Sequence, residues 1–238
     1  MRLDDHTWPE VQVYLESNHH LILPVGTCEQ HGPHLPLDTD TIIANRIADT
    51  LSGETGILVG PTLNYGVNLP CDQVYAGTCS TTGELLGQFL SSILAWWKGQ
   101  GFWRFLVLSA HGDPQHIEAL EAVDPGAVRV LELYDFDIPD ILDRQQGAKH
   151  AGEVETSVVM FLYPDRVRRE AIQDFETPLE QFEPYLSHQV QEPIPGSPGN
   201  QGYPSCATAE KGEVLYGLML DHARRWLAQN MLSGREED

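Results

Sequence analysis

HLILPVGTCEQHGPHLPLDTDTIIANRIADTLSGETGILVGP, residues 20–61, begins with an apolar run, crosses a loop dense in histidine and acid, and ends in a helical pattern followed by a second apolar run. HLILPV (20–25) shows no alternation, the pattern of a strand covered on both faces. DTIIANRIADTLSG (40–53) spaces Ile42, Ile43, Ile47 and Leu51 at helical intervals and stops at a glycine. GILVGP (56–61) reads as the next strand. Further along, TTGELLGQFLSSILAWWKGQG (81–101) predicts a helix capped by Thr81 or Thr82, and WRFLVLSA (103–110) a strand. PQHIEALEAV (114–123) predicts a short helix from Pro114 and AVRVLELY (127–134) a fourth strand. VETSVVMFLY (154–163) and EKGEVLYGLMLDHARRWLAQNML (210–232) predict two more helices. Strands alternating with helices imply an α/β fold, a mostly parallel sheet covered by helices on both faces through right-handed crossovers. No repeat or linker divides the chain, so 1–238 is expected to be a single domain. Residues 174–205, rich in Pro, Gly and Gln, lack periodicity and are expected to run over the surface or into a neighbouring subunit.

Fourteen Lys and Arg stand against 35 Asp and Glu, a net charge of −21. A surface this acidic repels nucleic acid and anionic lipid, so neither is an expected partner. No run approaches the roughly 18–20 apolar residues that span a bilayer, and MRLDDHTWPEVQ lacks an apolar core behind a basic start, so a cytoplasmic location is expected. Cys28, Cys71, Cys79 and Cys206 show no Cys-x-x-Cys spacing, which fits a reducing compartment.

In open parallel sheets, ligands collect beyond the carboxyl ends of the strands. Glu29, His31, His34, Asp38 and Asp40 follow the first strand, and His111 and Asp113 follow the third. Glu29 and His31, two apart, share a face of an extended segment. A mixed Glu/His/Asp set favours Zn²⁺, Mn²⁺ or Fe²⁺ over Ca²⁺. Asp40 opens a helix and can bridge, and so large a set points to two ions rather than one.

LPVGTCEQHGPHLPLDTD (23–40) and FLVLSAHGD (105–113), with KHAGEVETS (149–157) and ATAEKGEVLY (207–216), resemble the creatininase, or creatinine amidohydrolase, family from about residue 20 to 220. The resemblance implies a one-domain α/β sandwich, a homo-oligomer that is often a hexamer, and two divalent ions, Zn, Mn or Fe. It implies hydrolysis of a C–N amide bond, cyclic or linear, of a small molecule by metal-activated water. Carried over by position, Glu29 and His111 hold one metal, His31 and a further carboxylate the other, and Asp40 lies between them. Asp113 is the position-matched candidate for that carboxylate, with Glu155 in reserve. His150 matches a catalytic histidine, and His150, or Glu155 through water, protonates the departing nitrogen. His34 and Asp38 are expected to orient the ligands.

Creatininase itself clamps its flat substrate with aromatic side chains, and the matching positions here are Gly112, Tyr134 and Gln146. Loop 64–77 (NYGVNLPCDQVYAG) is shorter and lacks the family's histidine before Gly-Thr. Creatinine is therefore not the expected substrate. Relatives with the same loop cleave a formamide or a peptide bond in cofactor biosynthesis. Two rival readings stand beside the amidohydrolase: a metal- or ligand-binding relative without turnover, and an amidase using Cys28 as nucleophile. Trp96, Trp97 and Trp103 are expected to pack in the core or between subunits, and Asp135, Asp137 and Asp140 to form a solvated rim.

Overall fold

The computed structural model describes residues 1–138 and 140–230, so the last two residues of the expected final helix lie outside it. In chain order the elements are α1 (Trp8–Leu15), β1 (His20–Val25), α2 (Thr39–Thr55), β2 (Leu58–Val59), α3 (Gly83–Gln100), β3 (Arg104–Ser109), α4 (Pro114–Glu121), β4 (Val128–Glu132), α5 (Glu153–Leu162), α6 (Leu179–Leu186) and α7 (Ala209–Asn230). The strands form one parallel sheet in the order β2-β1-β3-β4. β1 runs in register with β3 from His20 opposite Arg104 to Val25 opposite Ser109.

Alternation along the strands divides the core in two. Ile22, Leu106, Leu108 and Leu131 face α2, α5 and α7 through Ile43, Ile47, Val158 and Met219. Leu21, Leu23, Phe105 and Val107 face α3 and α4 through Leu86, Leu90 and Leu120, with Tyr14 and Leu15 of α1 at the margin. The expected α/β architecture is the one observed. Among the described residues no helix is long and apolar enough to cross a membrane.

Three local differences have physical reasons. The strand expected over 56–61 shrinks to Leu58–Val59, because Pro61 has no N–H to donate; pairing resumes where the Leu63 N–H donates to Pro24 O at 3.1 Å. α2 passes through Gly53 and ends at Gly56, whose φ of 72° supplies the left-handed stop. α1 and α6 were not expected as helices. α1 carries its start signal in the sequence, a capping box in which Thr7 and Glu10 satisfy each other's backbone N–H groups.

The sheet brings the ends of β1, β3 and β4 to one edge, where α2 and α5 begin. Gly26 makes the turn out of β1 at close quarters: a Cβ there would lie 2.5 Å from the Thr41 backbone nitrogen. That contact holds the loop of Glu29 and His31 against the first turn of α2, where Asp40 sits.

Candidate metal centre

Glu29, His31, Asp40, His111 and Glu155 come from four separate segments and are all at least 94% buried. Among the described residues, three groups place their ligand atoms within 4.8 Å of one another: Glu29, Asp40 and His111; His31, Asp40 and Glu155; and Glu29, His31 and His150. Asp40 belongs to the first two and divides its oxygens between them. Oδ1 is 3.1 Å from His31 Nε2, and Oδ2 is 3.4 Å from His111 Nδ1. Thr27 Oγ1 donates to Oδ2 at 2.5 Å and fixes the carboxylate's rotation. Glu155 Oε2 lies 3.8 Å from His31 Nε2 and accepts from the Ala151 N–H at 2.5 Å. Ala151 has a φ of 47°, a left-handed conformation for a residue with a Cβ, just before α5 begins.

The backbone selects which imidazole nitrogen meets the carboxylates. His111 Nε2 donates to Val67 O at 2.8 Å, and His31 Nδ1 donates to Glu29 O at 3.1 Å. In the neutral rings the lone pairs on His111 Nδ1 and His31 Nε2 then face carboxylate oxygens. Glu29 Oε2 is 3.2 Å from His111 Nδ1, yet this buried oxygen accepts no hydrogen bond from the described residues. Lone pairs aimed at lone pairs repel unless a cation lies between them. The donor set, two imidazoles and three carboxylates, fits divalent Zn, Mn or Fe.

The electrostatics make the same demand. Burial pulls the His31 pKa down, but Asp40, Glu155 and Glu29 outweigh it and raise it to about 10. His111 is likewise raised well above the ordinary histidine value: burial opposes this, and Glu29 and Asp40 prevail. Burial raises Glu155 to about 7. The cluster therefore holds positive charge, as protons on the imidazoles or as the metal ions that replace them.

His150 lies on the cavity side of this cluster, with Nδ1 3.8 Å from Glu29 Oε2. Gln30 gives its two side-chain amide hydrogens to Asp72 Oδ1 (2.9 Å) and Gly199 O (2.7 Å), so His150 Nε2 donates to the backbone carbonyl of Gln30 at 2.8 Å and Nδ1 keeps its lone pair. Burial lowers the His150 pKa to about 4, so the ring is neutral at neutral pH.

Asp113 is not brought into any of the three groups. Its Oδ1 caps α4 by accepting from the His116 N–H at 3.0 Å, and its Oδ2 accepts from His188 Nε2 at 2.7 Å. Its short side chain is spent on the helix end and on residue 188, while the reserve candidate Glu155 stands beside His31. His34 contacts Thr156 Oγ1 at 2.9 Å, and Asp38 accepts from the two terminal nitrogens of Arg166 at 3.0 and 2.8 Å, away from the ligands. Cys28 Sγ donates to Gly77 O, and burial raises its pKa, with Cys79 and Asp38 adding to the rise, so the thiol is not activated as a nucleophile. Trp96 and Trp103 are exposed instead of packed in the core, while Trp97 packs from α3 against the core.

A cavity of about 280 Å³ opens over the cluster. Glu29, His111, His150 and Glu155 form its floor, and Phe182, Tyr185 and Leu186 of α6 cover it. Part of the segment expected to run over the surface or into a neighbouring subunit thus roofs the site of its own chain. Thr27 and Gln30 escaped the sequence reading. Both lie inside the quoted motif, and Thr27 was legible as an alternate position with Glu29 and His31; Gln30 falls between them, and the carbonyl of Val67, a backbone group, left no side-chain signal.

Fold and cluster together define a parallel α/β protein with buried carboxylates and histidines grouped at its strand ends so that they could hold metal. The chain belongs to the creatininase family: the family model, creatinine amidohydrolase, matches residues 4–227. It is similar to the mycofactocin precursor peptide peptidase of Mycobacterium ulcerans (strain Agy99), with 32% identity over 229 residues covering 90% of this chain and 83% of the relative. It is also similar to the creatinine amidohydrolase of Pseudomonas putida, at 26% identity over 234 residues covering 88% and 89% of the two chains. A crystal structure of creatinine amidohydrolase (creatininase) shares the fold at a TM-score of 0.80 and 23% identity, over 98% of each chain. Creatininase structures at TM-scores of 0.77 and 0.76 are a Mn form and a Zn-Zn form. The chain is a hydrolase of this family, which acts on carbon–nitrogen bonds.

Proposed function

We propose that this chain hydrolyses an amide bond of a small molecule at a site for two divalent cations. The observation that carries the reading is the division of Asp40 between His31 and His111, which makes two ligand groups around one shared carboxylate. Glu29, Asp40 and His111 would hold one ion and His31, Asp40 and Glu155 the other, with Glu155 in the place expected of Asp113. The Mn and Zn-Zn creatininase structures support Mn or Zn. Bound there, the ions supply Lewis acidity, lowering the pKa of water and polarising a carbonyl oxygen.

The chain's own residues do the rest. His150 is neutral, with its Nδ1 lone pair free and its other nitrogen anchored on Gln30, so it accepts a proton from the attacking water and passes it to the departing nitrogen. Gln30, itself held by Asp72 and Gly199, keeps that ring in place. The roof of α6 limits the water that reaches the reacting carbon. Creatinine is not the favoured substrate: of the three positions that match the aromatic clamp, Gly112 and Gln146 carry no aromatic ring, and Tyr134 alone keeps one in the cavity lining. Cleavage at the end of a peptide is the second reading, supported by the 32% identity to a peptide peptidase. The four free cysteines support the cytoplasm, and Leu85, Phe89 and Trp96, exposed on α3, support a homo-oligomer.

The test is turnover of a panel of lactams, formamides, creatinine and short peptides. Activity that a chelator abolishes, Zn²⁺ or Mn²⁺ restores and iodoacetamide leaves intact is expected. Activity resistant to chelators and sensitive to iodoacetamide would return the chemistry to Cys28.

A further inference from the structure

The cavity has two unlike halves. Its floor is ionic, whereas Phe182, Tyr185 and Leu186, with Leu69 and Pro114, supply an apolar roof and wall. α6 itself is lightly anchored: Leu179 at its start is 91% exposed, and Tyr185 packs in a small satellite cluster with Leu69, Cys71 and Ile194. Just past its end, His188 has a φ of 60°, a left-handed conformation that disfavours a residue with a Cβ. That backbone aims the imidazole inward, where Nε2 donates to Asp113 Oδ2 at 2.7 Å, with the two side chains 10% and 2% exposed. Asp113 is fixed in turn as the cap of α4, two residues from His111. A buried hydrogen bond thus joins the roof to the segment that delivers His111.

We infer that the Asp113–His188 pair is a positioning latch that seats α6 over the cavity, and that the roof so placed selects amides carrying an aliphatic or aromatic group beside the reacting carbonyl. The substrate half of this inference rests on the metal-hydrolase reading; the latch half does not. The ionic floor binds the amide end of any substrate alike, so discrimination falls to the roof. Covering an apolar group of that size is worth on the order of tenfold or more in affinity.

The experiment uses two probes with the same metal-binding head, acetohydroxamate and benzohydroxamate, titrated calorimetrically into the Zn²⁺-loaded protein. Benzohydroxamate is expected to bind at least about tenfold more tightly. In His188→Ala that preference shrinks toward unity while acetohydroxamate binding is unchanged, which also reports an intact floor. His188→Gln, whose amide reaches the position of the ring nitrogen, restores most of the preference. In metal-free protein, His188→Ala is cut faster than the parent by a nonspecific protease between residues 174 and 198. Equal affinities for the two probes in the parent overturn the substrate class. A full preference and unchanged proteolysis in His188→Ala overturn the latch. If neither probe binds the Zn²⁺-loaded parent, the metal-hydrolase reading and the substrate class fall together, and the proteolysis still decides the latch.

Discussion

Asp40 and Glu155 carry the residue-scale argument. Each is a buried carboxylate within 4 Å of His31, whereas Asp113 has both oxygens committed to His116 and His188. Glu155→Ala is therefore expected to lower metal content from about two ions per chain to about one, and Asp113→Ala to leave it unchanged. Metal analysis of the two variants settles the assignment, and the reverse pattern would restore Asp113 as the ligand. The histidines give a pH dependence. His31 titrates near 6.5 in the unfolded chain and at about 10 in the fold, with His111 raised in the same direction. Their contribution in the metal-free protein is fully present below pH 6.5 and is lost as pH rises toward 10, at about 1.4 kcal/mol per pH unit per group. Bound metal displaces those protons and removes the slope. Urea midpoints from pH 6.5 to 9, with chelator and with Zn²⁺, measure this; a chelated protein as stable at pH 9 as at 6.5 would refute it. Of the cluster, Glu29, His31, Asp40 and His111 could be read from strand ends and spacing. The choice between Asp113 and Glu155 could not, because it depends on what occupies the Asp113 oxygens, and one occupant is a histidine 75 residues away.

At the scale of elements, the strands and long helices were legible because each buries a face, and burial writes its period into the sequence. α6 was not: its eight residues include Pro184 and roof a cavity instead of packing into a core. β2 was overestimated because an apolar run does not show that Pro61 withholds a donor. α5 and α7 cross so closely that Gly212 is required at the contact, where a Cβ would penetrate the carbonyl group of Ser157. Alanine favours a helix over glycine by about 1 kcal/mol, yet Gly212→Ala is expected to destabilise by about 1–3 kcal/mol through overpacking, lowering Tm by about 2–12 °C. Thermal unfolding of the metal-free variant checks this, and an unchanged or raised Tm would show that the helices separate freely. Because α5 begins at Glu153 and carries Glu155 in its first turn, the same variant shifts the ligand set as well as the core.

For the whole molecule, a net charge of −21 coexists with an inward concentration of carboxylates, and folding places Glu29, Asp40 and Glu155 together out of water. Ions that bind the fold and not the unfolded chain offset that repulsion; at a thousandfold excess over Kd this is worth about 4 kcal/mol. Chelation is accordingly expected to lower Tm by about 10 °C, with recovery on adding Zn²⁺ or Mn²⁺. A Tm indifferent to both would mean that the cluster is satisfied by protons alone. The central claim is that Asp40 serves two ions at once, and metal stoichiometry by inductively coupled plasma mass spectrometry, on protein purified without a metal-affinity step, tests it most directly. The account predicts about two Zn, Mn or Fe per chain in the parent and nearly none in Asp40→Ala. Two ions retained by Asp40→Ala, or no tightly bound metal in the parent after incubation with Zn²⁺ and Mn²⁺, would contradict it.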